Sequence, residues 1–375
     1  MQKILFMPLL RMSSGHHQVA DSIMESLKEG NLEWEFEKVE LLSYSLGFLE
    51  TIITGTYLKA IMVCPAFYSW LYRKVSFNDT YETKRYFLYE LLFLRSMKKV
   101  LNECNPDLII CTHALPSYLL NKLKQQSCQT VPVINVYTDL FVNQLWGLSH
   151  IDYHFAPSQE VKQFLSNQGV KNNQILVTGI PVHPSYLKND LQQKANENKR
   201  INLLISGGSL GTGNIKKLLK KLNPSGKIHY IVLCGKNKKL FQFVQSIKNH
   251  NIIPLPYITC KHEMNALYSD ASGIITKPGG VTISETLRKR LPIFIYSVLP
   301  GQEEINLRNL KNNELVFLLE NDHQELEDQI LAYLTSQTCM NRHLKQVAKY
   351  LNSIENEVLA ETIIKVLQKN MIDNN

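Results

Sequence analysis

What the sequence lacks narrows it first. Between Glu197 and Glu263 there is no carboxylate side chain: residues 198–262 hold 12 Lys/Arg and no Asp or Glu. The 375-residue chain has a formal net charge of +8, which leaves −4 on the rest. A surplus confined to one block is unlike a nucleic-acid-binding domain, where basic residues interleave with exposed aromatics over the whole fold. No CxxC occurs among the seven scattered cysteines. Neither a disulfide framework nor a zinc site is signalled, and a reducing cytoplasm is expected. Long apolar runs are missing too. The uncharged stretch Ala60–Tyr72 has 13 residues and contains Pro65, short of the ~20 that a spanning helix needs. Met1–Leu10 has the apolar character of a leader, but Arg11 interrupts it and no small-residue cleavage site follows. Ile4–Leu10 therefore reads as a first buried strand.

Hydrophobic content of 44% and charged content of 20% belong to a folded chain, and the length suggests two domains, each with its own core. Short apolar runs alternate with longer amphipathic ones, the pattern of an α/β protein with parallel sheets. Candidate strands in the first half are Lys3–Met7, Trp34–Leu41, Leu108–Thr112, Val131–Val136, His154–Ala156 and Ile175–Val177, with a helical region over Leu42–Asn102. Two prolines and a polar stretch over Pro181–Arg200 mark a break. The second half restarts with Ile201–Ser206, Ile228–Cys234, Ile252–Pro254, Gly273–Thr276 and Ile293–Tyr296 as strands, Asn214–Leu222 and Thr282–Arg290 as helices, and Glu355–Gln368 as a closing helix. The expected organisation is a first domain over 1–188, a linker over 189–200, a second domain over 201–352, and a C-terminal helix over 353–375 packing back on the first domain. Each domain is doubly wound, with a cleft between the two. Ligands in such sheets bind beyond the carboxyl ends of the strands, where strand order reverses.

Each half opens with a strand, a small-residue turn and a helix. In the first, the turn is Ser13-Ser14-Gly15-His16-His17. In the second it is Ser206-Gly207-Gly208-Ser209-Leu210-Gly211-Thr212-Gly213. Glycines of this density let backbone approach a ligand, and the following helix start offers N–H groups to an anion. The loop matches neither GxxxxGK[ST] nor GxGxxG. The segment Thr276–Glu285 runs from a strand through Lys277-Pro278-Gly279-Gly280-Val281 to Thr282, which is spaced from Glu285 as in a capping box. Glu285 either completes that cap or accepts hydrogen bonds from ribose hydroxyls. Downstream, Pro300-Gly301-Gln302-Glu303-Glu304-Ile305-Asn306 sets amide and carboxylate groups on a helix start, suited to a polyhydroxylated ligand.

Seven motifs in order carry a resemblance over nearly the whole chain: Gly15-His16 with Ala20, Pro106-Asp107, Thr138-Asp139 with Trp146, Gly179-Ile180-Pro181-Val182, Gly207-Gly208-Ser209 with Gly211, Thr276–Gly280 with Glu285, and Pro300–Glu303 with Asn306. In these the chain resembles the diacylglycerol glycosyltransferases, the processive diacylglycerol glucosyltransferases and monogalactosyldiacylglycerol synthases. More distantly it resembles the enzyme that adds N-acetylglucosamine to the peptidoglycan lipid precursor. The resemblance implies a GT-B fold, a UDP-sugar donor on the C-terminal domain, an acceptor on the N-terminal one, and inversion at the anomeric carbon with no metal and no cofactor. It places the diphosphate at Gly207, Gly208, Ser209, Gly211, Lys277, Gly279, Gly280, Val281 and Thr282, the ribose on Glu285, the uracil near Pro256 and Tyr257, and the sugar hydroxyls near Gln302, Glu303 and Asn306. On the acceptor side it places Gly15, His17, Trp146 and His183. Relatives commonly carry Arg where this chain has His183, and their first loop is richer in glycine.

An acceptor hydroxyl loses a proton as it attacks, and histidine suits that task near neutral pH. His16 is the candidate base, with His17 adjacent. Asp139 is a candidate to orient the imidazole or to act as base itself. Leu41–Tyr72 has apolar and aromatic residues at helical spacing, with Lys59 inside and Arg73-Lys74 after it. That pattern fits an interfacial helix pair on an anionic membrane, or helices that cover the N-terminal core. The expected partners are a UDP-sugar, diacylglycerol and an anionic membrane surface, with no nucleic acid. The expected location is cytoplasmic, peripheral on the inner face of the cell membrane. A soluble small-molecule acceptor and a non-catalytic UDP-sugar-binding role are the alternative readings.

Overall fold

The computed structural model describes residues 2–9, 14–29, 34–47, 85–187, 200–320, 325–354 and 358–373. The chain forms two compact units, one of Met1–Pro181 with Ser353–Asn375, the other of Val182–Asn352. Most of Leu41–Tyr72 and of the expected linker 189–200 lies outside the described residues.

The first unit is built on six parallel strands in the order β2-β1-β3-β4-β5-β6: β1 Gln2–Met7, β2 Trp34–Lys38, β3 Leu108–Cys111, β4 Val133–Val136, β5 Tyr153–Ala156 and β6 Ile175–Val177. The helices are α1 Gly15–Lys28, α2 Leu41–Leu46, α3 Phe87–Cys104, α4 Ala114–Gln125 and α5 Gln159–Asn167. The second unit repeats the plan with the order β12-β11-β10-β7-β8-β9. Its strands are β7 Ile201–Ser206, β8 Ile228–Leu233, β9 Ile252–Leu255, β10 Gly273–Thr276, β11 Ile293–Ile295 and β12 Phe317–Leu318. Its helices are α6 Ile215–Lys221, α7 Lys238–Ser246, α8 Lys261–Asp270, α9 Gly280–Arg288, α10 Gln302–Asn312, α11 Leu326–Thr335 and α12 Gln337–Asn352. The last helix, α13 Val358–Asp373, belongs to the first unit. There Gln159 Nε2 donates to the Ser353 carbonyl at 3.1 Å.

The interior strands are apolar on both faces because helices cover both. Leu108, Ile109, Ile110 and Cys111 are all fully buried, as are Ile274 and nearly Ile275. Edge strand β2 alternates instead, and Lys3 on β1 meets Glu37 at 2.8 Å and Glu35 at 3.2 Å across the pair. The expected strand over Trp34–Leu41 stops at Lys38, since Leu41 and Leu42 turn into α2 and are buried there. The expected strand from Val131 begins two residues later, because Pro132 has no N–H to give the ladder. Strand β12 is not among the expected strands.

A buried carboxylate ties the second unit together. Glu327 on α11 accepts hydrogen bonds from Tyr230 Oη on β8 at 2.7 Å and from the Ser225 N–H at 2.9 Å and hydroxyl. Glu327→Ala should cost about 2–4 kcal/mol, since it leaves the Tyr230 hydroxyl buried without a partner, whereas Tyr230→Phe should cost about 1 kcal/mol. Urea unfolding of the two variants measures the difference.

Candidate active site

In the first unit the strand order reverses between β1 and β3, and three chain segments converge at their carboxyl ends. The turn after β1 supplies His16 in the first turn of α1. The end of β3 supplies Thr112 and His113, and the end of β4 supplies Thr138 and Asp139. His16 Nδ1–H donates to the Thr112 carbonyl at 2.6 Å and lies 3.0 Å from Thr138 Oγ1. A carbonyl can only accept, so the proton sits on Nδ1 and Nε2 keeps its lone pair. Burial pushes the His16 imidazole down to about 4, against the hydrogen bond to Thr112, which favours the charged form. At neutral pH the ring is therefore neutral and able to take a proton.

His17, on the next face of α1, is buried and its Nε2 lies 3.9 Å from Glu40. Gly15 opens the helix. Trp146 is 6% exposed and packs edge-on against Tyr137, with ring centroids 4.7 Å apart, so it works as core. Asp139 is half-buried beside Thr138. His183 falls in the second unit, where its Nδ1 accepts from the Ser185 N–H at 3.2 Å and caps a short 3-10 turn over Pro184–Tyr186.

In the second unit the reversal falls between β7 and β10. The loop after β7 is folded on itself: Thr212 N–H donates to the Gly207 carbonyl at 3.1 Å and Gly211 N–H to the Gly208 carbonyl at 2.9 Å. Asn237 Nδ2 donates to the Gly211 carbonyl at 3.0 Å and the Lys236 N–H to the Ser209 carbonyl at 2.9 Å. Gly211 has φ +57°, and a Cβ there would lie 2.1 Å from the Cys234 carbonyl. Only glycine fits. Gly208 instead faces open space, its nearest side chain being Lys277. Ser206, Thr212, Gly213, Thr276, Lys277 and Ser297 line a recess at this end of the sheet.

After β10 the chain turns through Lys277-Pro278-Gly279 into α9. The expected capping box does not form. Gly279 takes the extended cap conformation, the helix starts at Gly280, and Thr282 is already inside it. Glu285 points inward, where it accepts from Tyr268 Oη at 2.9 Å and burial raises its carboxyl above the usual range. No side chain caps α9, and a Cβ at Gly279 would meet nothing within 4 Å. The first N–H groups of the helix therefore face an open approach. Lys277 Nζ donates to Glu303 Oε1 at 2.7 Å, and Glu303 Oε2 accepts from the Leu299 N–H at 2.8 Å. Asn306, 1% exposed, donates to the Pro278 carbonyl at 3.1 Å and holds the turn. Gln302 is half-buried at the start of α10, after Gly301 at φ +90°. Pro256 is exposed and Tyr257 half-buried past β9, with Lys236 over the Tyr257 ring at 5.1 Å. Sequence reasoning missed Thr112, His113, Asn237 and Ser297. Each follows a strand end, which is the one signal that could have found them.

Residues 16–182 match the family model for monogalactosyldiacylglycerol (MGDG) synthase, and residues 202–371 match the glycosyltransferase family 28 C-terminal domain. An uncharacterized glycosyltransferase of Bacillus subtilis, YkoN, is 44% identical over 98% of each chain. The chain belongs to this glycosyltransferase family. The processive diacylglycerol beta-glucosyltransferase of B. subtilis is 24% identical, covering 94% of this chain and 92% of its own. Its counterpart in Bacillus cereus is 28% identical over 83% of this chain and 80% of its own. Among solved structures, S. aureus MnaA with UDP has a TM-score of 0.59 at 14% identity, over 97% of this chain and 95% of that one. Acinetobacter baumannii MurG has a TM-score of 0.59 at 13% identity, over 98% and 99%. Those two likenesses show the GT-B fold.

Gly211 and Gly279 differ in what a Cβ would meet. Gly211→Ala should destabilise the enzyme by about 1–3 kcal/mol from left-handed backbone strain alone, with the clash added. Gly279→Ala, at φ −88°, should leave the melting temperature unchanged and weaken binding of UDP. Thermal melts and calorimetric titration with UDP check the pair.

Proposed function

We propose that the enzyme transfers a hexose from a UDP-sugar to a lipid hydroxyl, that of diacylglycerol, with inversion at the anomeric carbon. The observation that carries this reading is the neutral His16, fixed by Thr112 through Nδ1 with Nε2 left as the acceptor. It lies in the half that matches the MGDG synthase model. As the acceptor oxygen bonds to the anomeric carbon, its proton passes to His16 Nε2 and the bond from that carbon to the UDP oxygen breaks. Charge then builds on the diphosphate. The uncapped start of α9, Lys277 and the bare backbone at Gly208 meet it there. Asp139, after Thr138 at the end of β4, is the second candidate in this reading, to orient the imidazole or to act as base itself.

The lipid acceptor is supported by the relatives named as diacylglycerol glucosyltransferases and by the face of α3. Phe87, Leu88, Leu91 and Leu92 are 53–68% exposed there, and exposed Arg95 and Lys98 continue the same helix. No helix among the described residues is long and apolar enough to cross a membrane, so this reading has the enzyme attach peripherally, on the inner leaflet. The C-terminal half matches a family 28 domain, and a UDP-sugar supplies the leaving group that its cradle suits.

His16→Ala should lower kcat about 10²–10⁴-fold with UDP affinity unchanged, measured with UDP-hexoses and diacylglycerol vesicles and read by mass spectrometry. Wild-type turnover in both His16→Ala and Asp139→Ala would overturn the assignment. Protonation removes the base, so activity is lost as pH falls through the folded value of His16. The acid limb of kcat/KM should then lie near 4, well below the 6.5 of an ordinary histidine. Leu88→Ser with Leu91→Ser should reduce co-sedimentation with anionic vesicles. Transfer to soluble acceptors alone, with no vesicle binding by the wild type, would replace the lipid by a soluble acceptor.

A further inference from the structure

We propose that His113 is a positioning residue for the transfer reaction, its ring walling His16 into the orientation in which Nε2 takes the acceptor's proton. This rests on the reading of His16 as the base.

The two imidazoles meet edge to face, with centroids 4.6 Å apart and planes at 67°. Each is anchored through Nδ1, but with opposite polarity. His16 Nδ1 donates to the Thr112 carbonyl, whereas His113 Nδ1 accepts from the Leu115 N–H at 3.1 Å and caps α4. The cap forces the proton of neutral His113 onto Nε2. Adjacent residues of one strand end, Thr112 and His113, therefore hold the base by its Nδ1 and by its ring. Burial and the neighbouring His16 keep His113 well below the usual histidine range, so the wall carries no charge that would repel a proton arriving on His16.

Among the described residues, the groups around His16 come from three segments. On α1, His17 lies beside Glu40. At the end of β3 are the Thr112 carbonyl and His113, and at the end of β4 are Thr138 and Asp139. The His113 ring packs edge to face with that of His16, so its removal should let water in and free the base to turn. Proton transfer needs the base within hydrogen-bond reach of its target, and lost orientation appears in kcat before it appears in donor binding.

Two variants divide the roles of His113. His113→Asn keeps a short acceptor for the Leu115 N–H and removes the ring, while His113→Phe keeps a ring and removes the acceptor. His113→Asn should melt near the wild type yet lose at least about tenfold in kcat at unchanged KM for the UDP-hexose. His113→Phe should melt lower with a smaller kcat loss. Histidine-selective ¹⁵N NMR reads the base without any activity: in the wild type His16 should hold its proton on Nδ1 and titrate near 4. In His113→Asn it should titrate closer to 6.5 and populate both tautomers. An unchanged His16 titration and tautomer in His113→Asn overturns the proposal. Wild-type turnover in His16→Ala, with that NMR change still seen in His113→Asn, would instead overturn the base assignment alone.

Discussion

Every strand of both sheets runs parallel to its neighbours, and that constraint decides where chemistry can be placed. A parallel pair needs a crossover, and the crossover helix returns the chain to the start of the next strand. All strands of a sheet then release their next residues at one end, where helix N-termini also gather. Strands β1, β3 and β4 deliver His16, Thr112 with His113, and Thr138 with Asp139 to one such edge. Strands β7, β10 and β11 deliver the glycine loop, Lys277–Gly280 and Ser297 to another. Residues nearly a hundred positions apart, such as His16 and Thr112, become hydrogen-bond partners because the sheet order sets them side by side.

Much of this was legible because it is local. Ile175–Val177, Ile201–Ser206 and Gly273–Thr276 have the strand bounds expected from their apolar runs. Glycine density after β7 marked a turn expected to approach a ligand, and at Gly211 the close approach is to the Cys234 carbonyl of the chain itself. What escaped depends on partners that no local pattern names. The α9 start was misread because Thr282 and Glu285 have cap spacing, but Gly279 can leave the helix start bare and Glu285 has a better partner in Tyr268. Glu303 and Asn306, expected near sugar hydroxyls, also hold hydrogen bonds inside the protein, one to Lys277 and Leu299, the other to Pro278. No local pattern marks His113, whose ring meets that of His16.

Burial has opposite consequences at the two edges. Around His16 it removes solvent that would stabilise the imidazolium, and few opposite charges compensate, so the ring stays neutral. At Lys277 the ammonium is matched by Glu303, which is only 8% exposed. An uncharged imidazole can accept a proton, whereas an ammonium beside a carboxylate is held in place by its partner.

The lysine-rich block sharpens this division. Lys216, Lys217, Lys220 and Lys221 on α6, and Lys238 and Lys239 on α7, are exposed on helices that flank β7 and β8. Lys277, the cation hydrogen-bonded at the carboxyl edge, lies outside the block. The surplus of charge therefore acts as a field over one face of the second unit, worth ~1 kcal/mol per lysine near an anionic membrane surface. The recess at the carboxyl edge is instead lined by Ser206, Thr212, Thr276 and Ser297 with the paired Lys277. A long-range field that needs no fixed geometry and a short-range recess that needs a great deal are thus built from different side chains. Substituting the exposed lysines of α6 or α7 should alter encounter with an anionic surface without disturbing the loop after β7.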